Sequence, residues 1–134
     1  MRKNNKNNTE LSQVSTGKTP KETLDKALFR RLIKVIHADN NYLNPEFSRE
    51  RLVSIVHVPK NKFAPLFKTH AGVTFKTYIN NLRLDYAIVQ MKAHRDYTVE
   101  ALAKDCGIPV LQTFHRLFLQ RYGQSPAVYR RNLK

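Results

Sequence analysis

Phe63-Ala64-Pro65-Leu66-Phe67-Lys68-Thr69-His70-Ala71-Gly72 and Phe114-His115-Arg116-Leu117-Phe118-Leu119-Gln120-Arg121-Tyr122-Gly123 are two versions of one pattern. In each, two phenylalanines stand four residues apart, a leucine precedes the second, and a glycine closes the segment. Spacing of i, i+4 puts both rings on one face of a helix, and glycine supplies the left-handed backbone that ends it. The match reaches further, since Phe63, Phe67, Gly72 and Tyr78 recur 51 positions later as Phe114, Phe118, Gly123 and Tyr129. Upstream, Leu52, Val56 and Val58 correspond to Leu102, Cys106 and Ile108 at an offset of 50. A unit of two short helices and a turn therefore occurs twice, with one extra residue in the second turn.

The segments around the repeat are also helical, and no stretch alternates apolar and polar residues as a half-buried strand does. Ser48 caps a segment carrying Leu52, Val53, Ile55 and Val56. Thr74 caps a long helix, predicted over about 75–94, with Phe75, Ile79, Leu82, Tyr86 and Val89 on its apolar side. Thr98 caps a segment with Val99, Leu102, Ala103 and Cys106 that stops at Gly107. Nearer the N-terminus, Thr19, Pro20 and Glu22 form a helix start signal. It precedes an apolar stripe of Leu24, Leu28, Leu32, Val35 and Ile36, closed by Asp39-Asn40-Asn41. The expected fold is all-α, with about seven helices. Two helix–turn–helix subdomains, about 48–72 and 98–123, are joined by the connecting helix inside a folded region 19–134. Residues 1–18 have only Leu11 and Val14 as sizeable apolar groups, and such a segment reads as a disordered basic tail or linker. Pro65 has no N–H and its ring crowds the carbonyl four residues back. A late start or a kink is expected in the helix over about 59–69.

Of 134 residues, 24 are Lys or Arg and 10 are Asp or Glu, a formal net charge of +14. Such an excess points to a polyanionic partner, a nucleic acid or an anionic membrane surface. The cations follow the repeat. From Arg51 to Leu84 there is no acidic residue, against Arg51, Lys60, Lys62, Lys68, Lys76 and Arg83. From Cys106 onward there is again none, against Arg116, Arg121, Arg130, Arg131 and Lys134. Each window contains the second helix of a unit, the helix that a helix–turn–helix lays in the DNA major groove, where carboxylates would face phosphates. Arg83, on the connecting helix, suits either a structural ion pair or a phosphate contact.

Other chemistries find little support. The longest apolar run, Leu52 to Val58, is interrupted by Ser54 and His57 and is too short for a bilayer. No secretory signal opens the chain, so a cytoplasmic location is expected. The single cysteine, Cys106, excludes an internal disulfide and reads as a buried small hydrophobe. His37, His57, His70, His94 and His115 never pair at i+3 or i+4, so neither a metal nor a cofactor is expected. Paired carboxylates, a nucleophile–base set and a phosphate-cradling glycine loop are all missing from the sequence, which argues against an enzyme.

The stretch Tyr78-Ile79-Asn80-Asn81-Leu82-Arg83-Leu84-Asp85-Tyr86-Ala87, the segment Val99 to Ile108, and the ending Gly123-Gln124-Ser125-Pro126-Ala127-Val128-Tyr129-Arg130 resemble the DNA-binding domain of bacterial AraC/XylS-type transcription regulators. The resemblance covers about residues 24–131. It implies two helix–turn–helix subdomains bridged by one long helix and sequence-specific binding of double-stranded DNA. A helix of about 75–94 spans roughly 30 Å, close to one DNA turn of roughly 34 Å, so that both second helices reach successive major grooves.

The first unit departs from the family. It has His57 where the turn usually has glycine and Val53 where the first helix has alanine, and its base-reading positions fall on Asn61, Ala64 and Pro65. In the second unit they fall on Leu111, Gln112, His115 and Arg116. Gln112 suits adenine, Arg116 guanine, and Leu111 a thymine methyl. Lys60, Lys62, Lys68, Thr98 and Arg130 are assigned to phosphates. RNA polymerase and an N-terminal sensor or dimerisation domain are the further partners the resemblance suggests. The alternative reading is a protein-interaction or output module of a larger sensor, membrane-anchored in some variants, with weak or nonspecific DNA binding of its own.

Overall fold

Helix boundaries in this chain follow from short-range chemistry. A computed structural model describes residues 20–133, which form seven α-helices, one 3-10 helix and, among the described residues, no strand. The helices are α1 (Pro20–His37), α2 (Arg49–Ile55), α3 (Lys60–His70), α4 (Phe75–Ala93), α5 (Val99–Asp105), α6 (Leu111–Tyr122) and α7 (Pro126–Arg131), with the 3-10 helix at Ala38–Leu43. The expected tail of residues 1–18 and the start signal at Thr19 lie outside the described residues. No described helix is long and apolar enough to cross a membrane.

Side-chain oxygens open four of these helices. Ser48, Thr74, Thr98 and Ser125 accept hydrogen bonds from the backbone N–H of Arg51, Thr77, Ala101 and Val128 at 3.1, 3.2, 3.0 and 3.2 Å. Each satisfies one donor that the first helical turn leaves orphaned. The end of α1 is built differently. Asp39 and Asn40 adopt left-handed backbone, with φ of 51° and 57°, and the Asn41 side-chain amide donates to the Val35 carbonyl at 2.8 Å.

The repeat in the sequence is a repeat in space. Both α2 and α5 have 7 residues, and the segments that separate them from α3 and α6 are residues 56–59 and 106–110. The second turn uses Gly107 at φ 91°. The first, one residue shorter, leaves α2 through Val56 in extended backbone (φ −111°, ψ 108°) and puts no left-handed residue at His57. The shorter turn has no need of the glycine. In both units the aromatic scaffold is the same: Phe67 meets Tyr78 edge-on at 5.8 Å, and Phe118 meets Tyr129 edge-on at 5.6 Å.

Two separate cores result. Leu32, Ile36, Phe47, Leu52, Phe63 and Phe67 are buried in the first, and Leu102, Ala103, Cys106, Phe114 and Phe118 in the second. The helix α4 belongs to both. Its N-terminal half gives Ile79 to the first core, flanked by Phe75, Tyr78 and Leu82, while its C-terminal half gives Leu84, Ala87 and Met91 to the second. At about 100° per residue the two sets lie on roughly opposite faces.

This corrects the single apolar stripe expected on the connecting helix. Val89 continues the first face past the end of the first core and is 58% exposed. Leu24 is 69% exposed, because burial along α1 rises through half-buried Leu28 and becomes complete only at Leu32 and Ile36. Ile55, 50% exposed, falls outside the i, i+4 pair Leu52 and Val56 that faces the core. The expected late start of the first recognition helix is also absent: α3 begins at Lys60 and runs unbroken across Pro65 to His70. Proline here lies in the second turn, where it removes only the bond to the Asn61 carbonyl, and both residues are exposed to water.

The two cores meet at Arg83. This side chain is only 8% exposed, and its Nε and Nη2 donate to the Tyr42 and Asn44 carbonyls at 2.6 and 2.8 Å. Gly107 of the second turn closes over the same spot. A Cβ there would lie 2.6 Å from the Leu43 carbonyl oxygen and 3.0 Å from Arg83 Nε. Arg83 is therefore a structural residue bonded to backbone carbonyls, neither half of an ion pair nor a group free for phosphate.

Two outcomes follow for stability. Gly107→Ala combines a strained positive φ with a backbone clash and should cost about 2–3 kcal/mol. Gly123→Ala, whose φ is also positive but whose Cβ would meet nothing within 4 Å, should cost about 1 kcal/mol. Urea unfolding of both variants checks the difference. Burial also pushes the Cys106 thiol up to about 11 from 9.0, so the folded state favours the neutral thiol. Its contribution to stability is complete below pH 9.0 and is lost as pH rises toward 11. Maleimide labelling of Cys106 at pH 8 should then proceed only as fast as the protein opens.

Candidate nucleic-acid interface

The helices α3 and α6 bury one face and expose the other. In α6, Phe114 and Phe118 are fully buried, and Gln112, His115 and Arg116 stand exposed at i, i+3 and i+4 on the opposite side. Leu111 is half-buried at the start of the helix. Val110 just before α6 and Leu119 within it are exposed apolar side chains, 59% and 53%. Neither was legible as a surface residue, because an apolar side chain at helical spacing reads as core until a partner helix is placed.

In α3, Phe63, Leu66 and Phe67 face the core, leaving Lys60, Asn61, Ala64, Pro65 and Lys68 exposed. Lys62 points elsewhere. Its Nζ lies 2.8 Å from the Asp25 carboxylate of α1, so its charge is already matched within the fold. Beside it, Arg49 of α2 lies 4.6 Å over the Phe63 ring and donates to the Lys60 carbonyl at 3.3 Å. No motif marked Arg49, since its position follows from how α2 crosses α3.

Several cations of the acid-free windows are held by partners within the fold or partly enclosed by it. Arg121 of α6 grips Asp85 of α4 through Nε and Nη2 at 3.0 and 2.9 Å, and the Tyr122 hydroxyl donates to the same carboxylate at 2.5 Å. Burial, and then this bond, raise the Tyr122 phenol well above its usual pKa, which keeps it a donor. Arg130 is half-buried, and its Nε and Nη2 are enclosed without a hydrogen-bond partner. Thr98 is exposed, with its hydroxyl oxygen engaged as the cap of α5. The outward-facing set is thus Lys60, Asn61 and Lys68 on one recognition helix and Gln112, His115 and Arg116 on the other. Neither helix carries a carboxylate anywhere along its length.

Comparison with known proteins agrees with this geometry. The sequence pattern described as "Helix-turn-helix domain" matches residues 52–132. The chain is 30% identical over 124 residues to the RCS-specific HTH-type transcriptional activator RclR of Escherichia coli K12, covering 92% of this chain and 42% of that protein. It is 24% identical over 131 residues to the regulatory protein PocR of Salmonella typhimurium, covering 98% of this chain and 41% of that one. It therefore spans about two-fifths of the length of these relatives. In three dimensions it is similar to the DNA-binding domain of AdpA, a global transcriptional factor solved in complex with a target DNA. The TM-score is 0.67 at 20% identity, over 77% of this chain and 89% of that one. Two helix–turn–helix units of matched geometry on one shared helix, together with these relatives, place the chain in the AraC/XylS-type helix–turn–helix family.

Proposed function

We propose that this chain is the DNA-binding unit of a sequence-specific transcription regulator, laying α3 and α6 in successive major grooves on one face of double-stranded DNA. The observation that carries this reading is the pair of units on opposite faces of α4, each presenting a recognition helix with a carboxylate-free outer face. At 19 residues, α4 is roughly 28 Å long, near the spacing of roughly 34 Å between successive grooves. The two units differ in sequence, so a single chain reads two unlike boxes and its site need not be palindromic.

Base reading falls mainly to the second unit. Gln112 presents a bidentate amide suited to adenine, Arg116 a guanidinium suited to guanine, and Leu111 an apolar edge for a thymine methyl. His115 lies on the same face, and Asn61 supplies the amide of the first unit. Lys60, Lys62, Lys68, Thr98 and Arg130 are the proposed phosphate contacts. For Lys62 that role means exchanging the Asp25 carboxylate for a phosphate, and for Arg130 it means leaving an enclosed position. RNA polymerase and an N-terminal sensor or dimerisation domain are the proposed further partners, and the cytoplasm the proposed location.

Selection of bound sequences from a random pool gives the preferred site, and the rest is measured on it. If about six Lys and Arg side chains, Lys60, Lys62, Lys68 and Arg130 among them, neutralise phosphates, log K should fall against log[salt] with a slope of roughly −5; a slope shallower than about −2 contradicts the reading. Arg116→Ala should cost about 1–3 kcal/mol on the preferred site and relax preference at one base pair. Lys62→Ala should weaken preferred and scrambled DNA alike. Asp25→Asn, by releasing Lys62, should strengthen binding to both by up to about fivefold; weaker binding in that variant removes the proposed exchange.

A further inference from the structure

We propose that the cleft between the two helix–turn–helix units, along the seam of α4 and α6, seats the DNA backbone that separates the two major grooves, with Lys76 and Asn80 as its phosphate contacts. The proposal rests on the DNA-binding reading above and adds a site between the recognition helices. The cleft has a volume of about 580 Å³; Pro45, Ile108, Pro109, Val110 and Leu117 make part of its wall apolar, and its polar side chains come from Lys76, Thr77 and Asn80 of α4 and Thr113, Arg116 and Gln120 of α6, together with Arg83. No carboxylate lines it. Each of the polar side chains is a cation, a hydroxyl or an amide and can donate a hydrogen bond, which is the complement of phosphate oxygens.

Position supports the same ligand. Lys76 also lines a groove of about 330 Å³ with Ala64 and Lys68 of α3, so it lies between one recognition helix and the other. Arg116, on the cleft wall, belongs to the exposed base-reading face of α6. A duplex entered twice on one face, roughly one turn apart, turns its minor groove and the flanking phosphates toward the protein between the entries. The surface opposite must be concave and free of negative charge. The Arg83–Gly107 junction contributes to the lining, so the packing that joins the units also shapes this surface.

The test uses the full 134-residue chain and the duplex it selects from a random pool, with charge-neutral methylphosphonates placed either at the central phosphates or within the two outer boxes. Lys76 is exposed, so Lys76→Ala should melt at the wild-type temperature. It should lower affinity about fivefold to tenfold on preferred and scrambled DNA alike, with a salt slope shallower by about 1. Central methylphosphonates should weaken the wild type several-fold more than they weaken Lys76→Ala, which keeps only the Asn80 contact, whereas outer ones should weaken both equally. Asn80→Ala should show the same central coupling, and Lys76→Arg should restore most of the loss. Losses that simply multiply, or wild-type binding by Lys76→Ala, overturn the proposal. So does Lys76-dependent binding of inorganic phosphate without coupling to the central DNA phosphates, which would mark a small-anion site. Failure of the wild-type chain to prefer any duplex over scrambled DNA overturns the sequence-specific reading, and failure to bind duplex DNA at all overturns the DNA reading itself; both results are distinguishable from loss of the central coupling alone.

Discussion

The guanidinium of Arg83 is the point on which the two halves of this protein depend. Taking a charge out of water is costly, and burial lowers its pKa accordingly. The cost is offset where the charge meets hydrogen-bond acceptors that would otherwise be stranded, and the Tyr42 and Asn44 carbonyls are such acceptors. They belong to the C-terminal end of the 3-10 helix beside the first unit, and Gly107, in the turn of the second, packs against both that end and the arginine. One side chain on the shared helix therefore sets how the units meet. Small helical subdomains bury too little surface to be robust alone, and a shared helix with a fixed junction lets each lean on the other.

Charge is sorted by the same architecture. A net charge of +14 disfavours compaction through self-repulsion, and two of the ten carboxylates, Asp25 and Asp85, are placed against cations of the recognition helices. Asp85 on α4 accepts from Arg121 and Tyr122 of α6, tying the recognition helix of the second unit to the connecting helix. Asp25 does the corresponding work against Lys62 on α3. Both pairs reach solvent, so each adds little to stability by itself. Their larger effect is to orient the recognition helices and leave a remainder of cations facing outward.

The two turns show how a repeat tolerates divergence. Gly107 is held at its identity twice, by a left-handed φ and by the close approach of Leu43. At the equivalent place the first unit has His57, and a turn shorter by one residue with extended backbone at Val56 removes the demand. The offset of the repeat, 50 before the turn and 51 after it, was the visible trace of that change. Pro65 was a weaker guide, since α3 begins at Lys60 despite it, and the one bond it removes leaves the Asn61 carbonyl on a face that water reaches.

The sequence alone determined the local rules: the oxygen caps at Ser48, Thr74 and Thr98, the glycine stops, the i, i+4 phenylalanines and the doubled unit. These depend on residues within a few positions of one another, so the chain carries them before any packing occurs. The outward face of α6 was legible too, because the buried phenylalanines dictate which residues point away. Tertiary structure decided the rest. The connecting helix reads as one apolar stripe until two cores claim opposite faces of it, which is why Val89 is exposed while Met91 is buried. In a linear reading Arg83, Arg121 and Lys62 are cations of the same acid-free windows as Arg116. Only the approach of distant carbonyls and carboxylates, up to 41 residues away in the chain, makes the first three part of the fold and leaves Arg116 facing solvent.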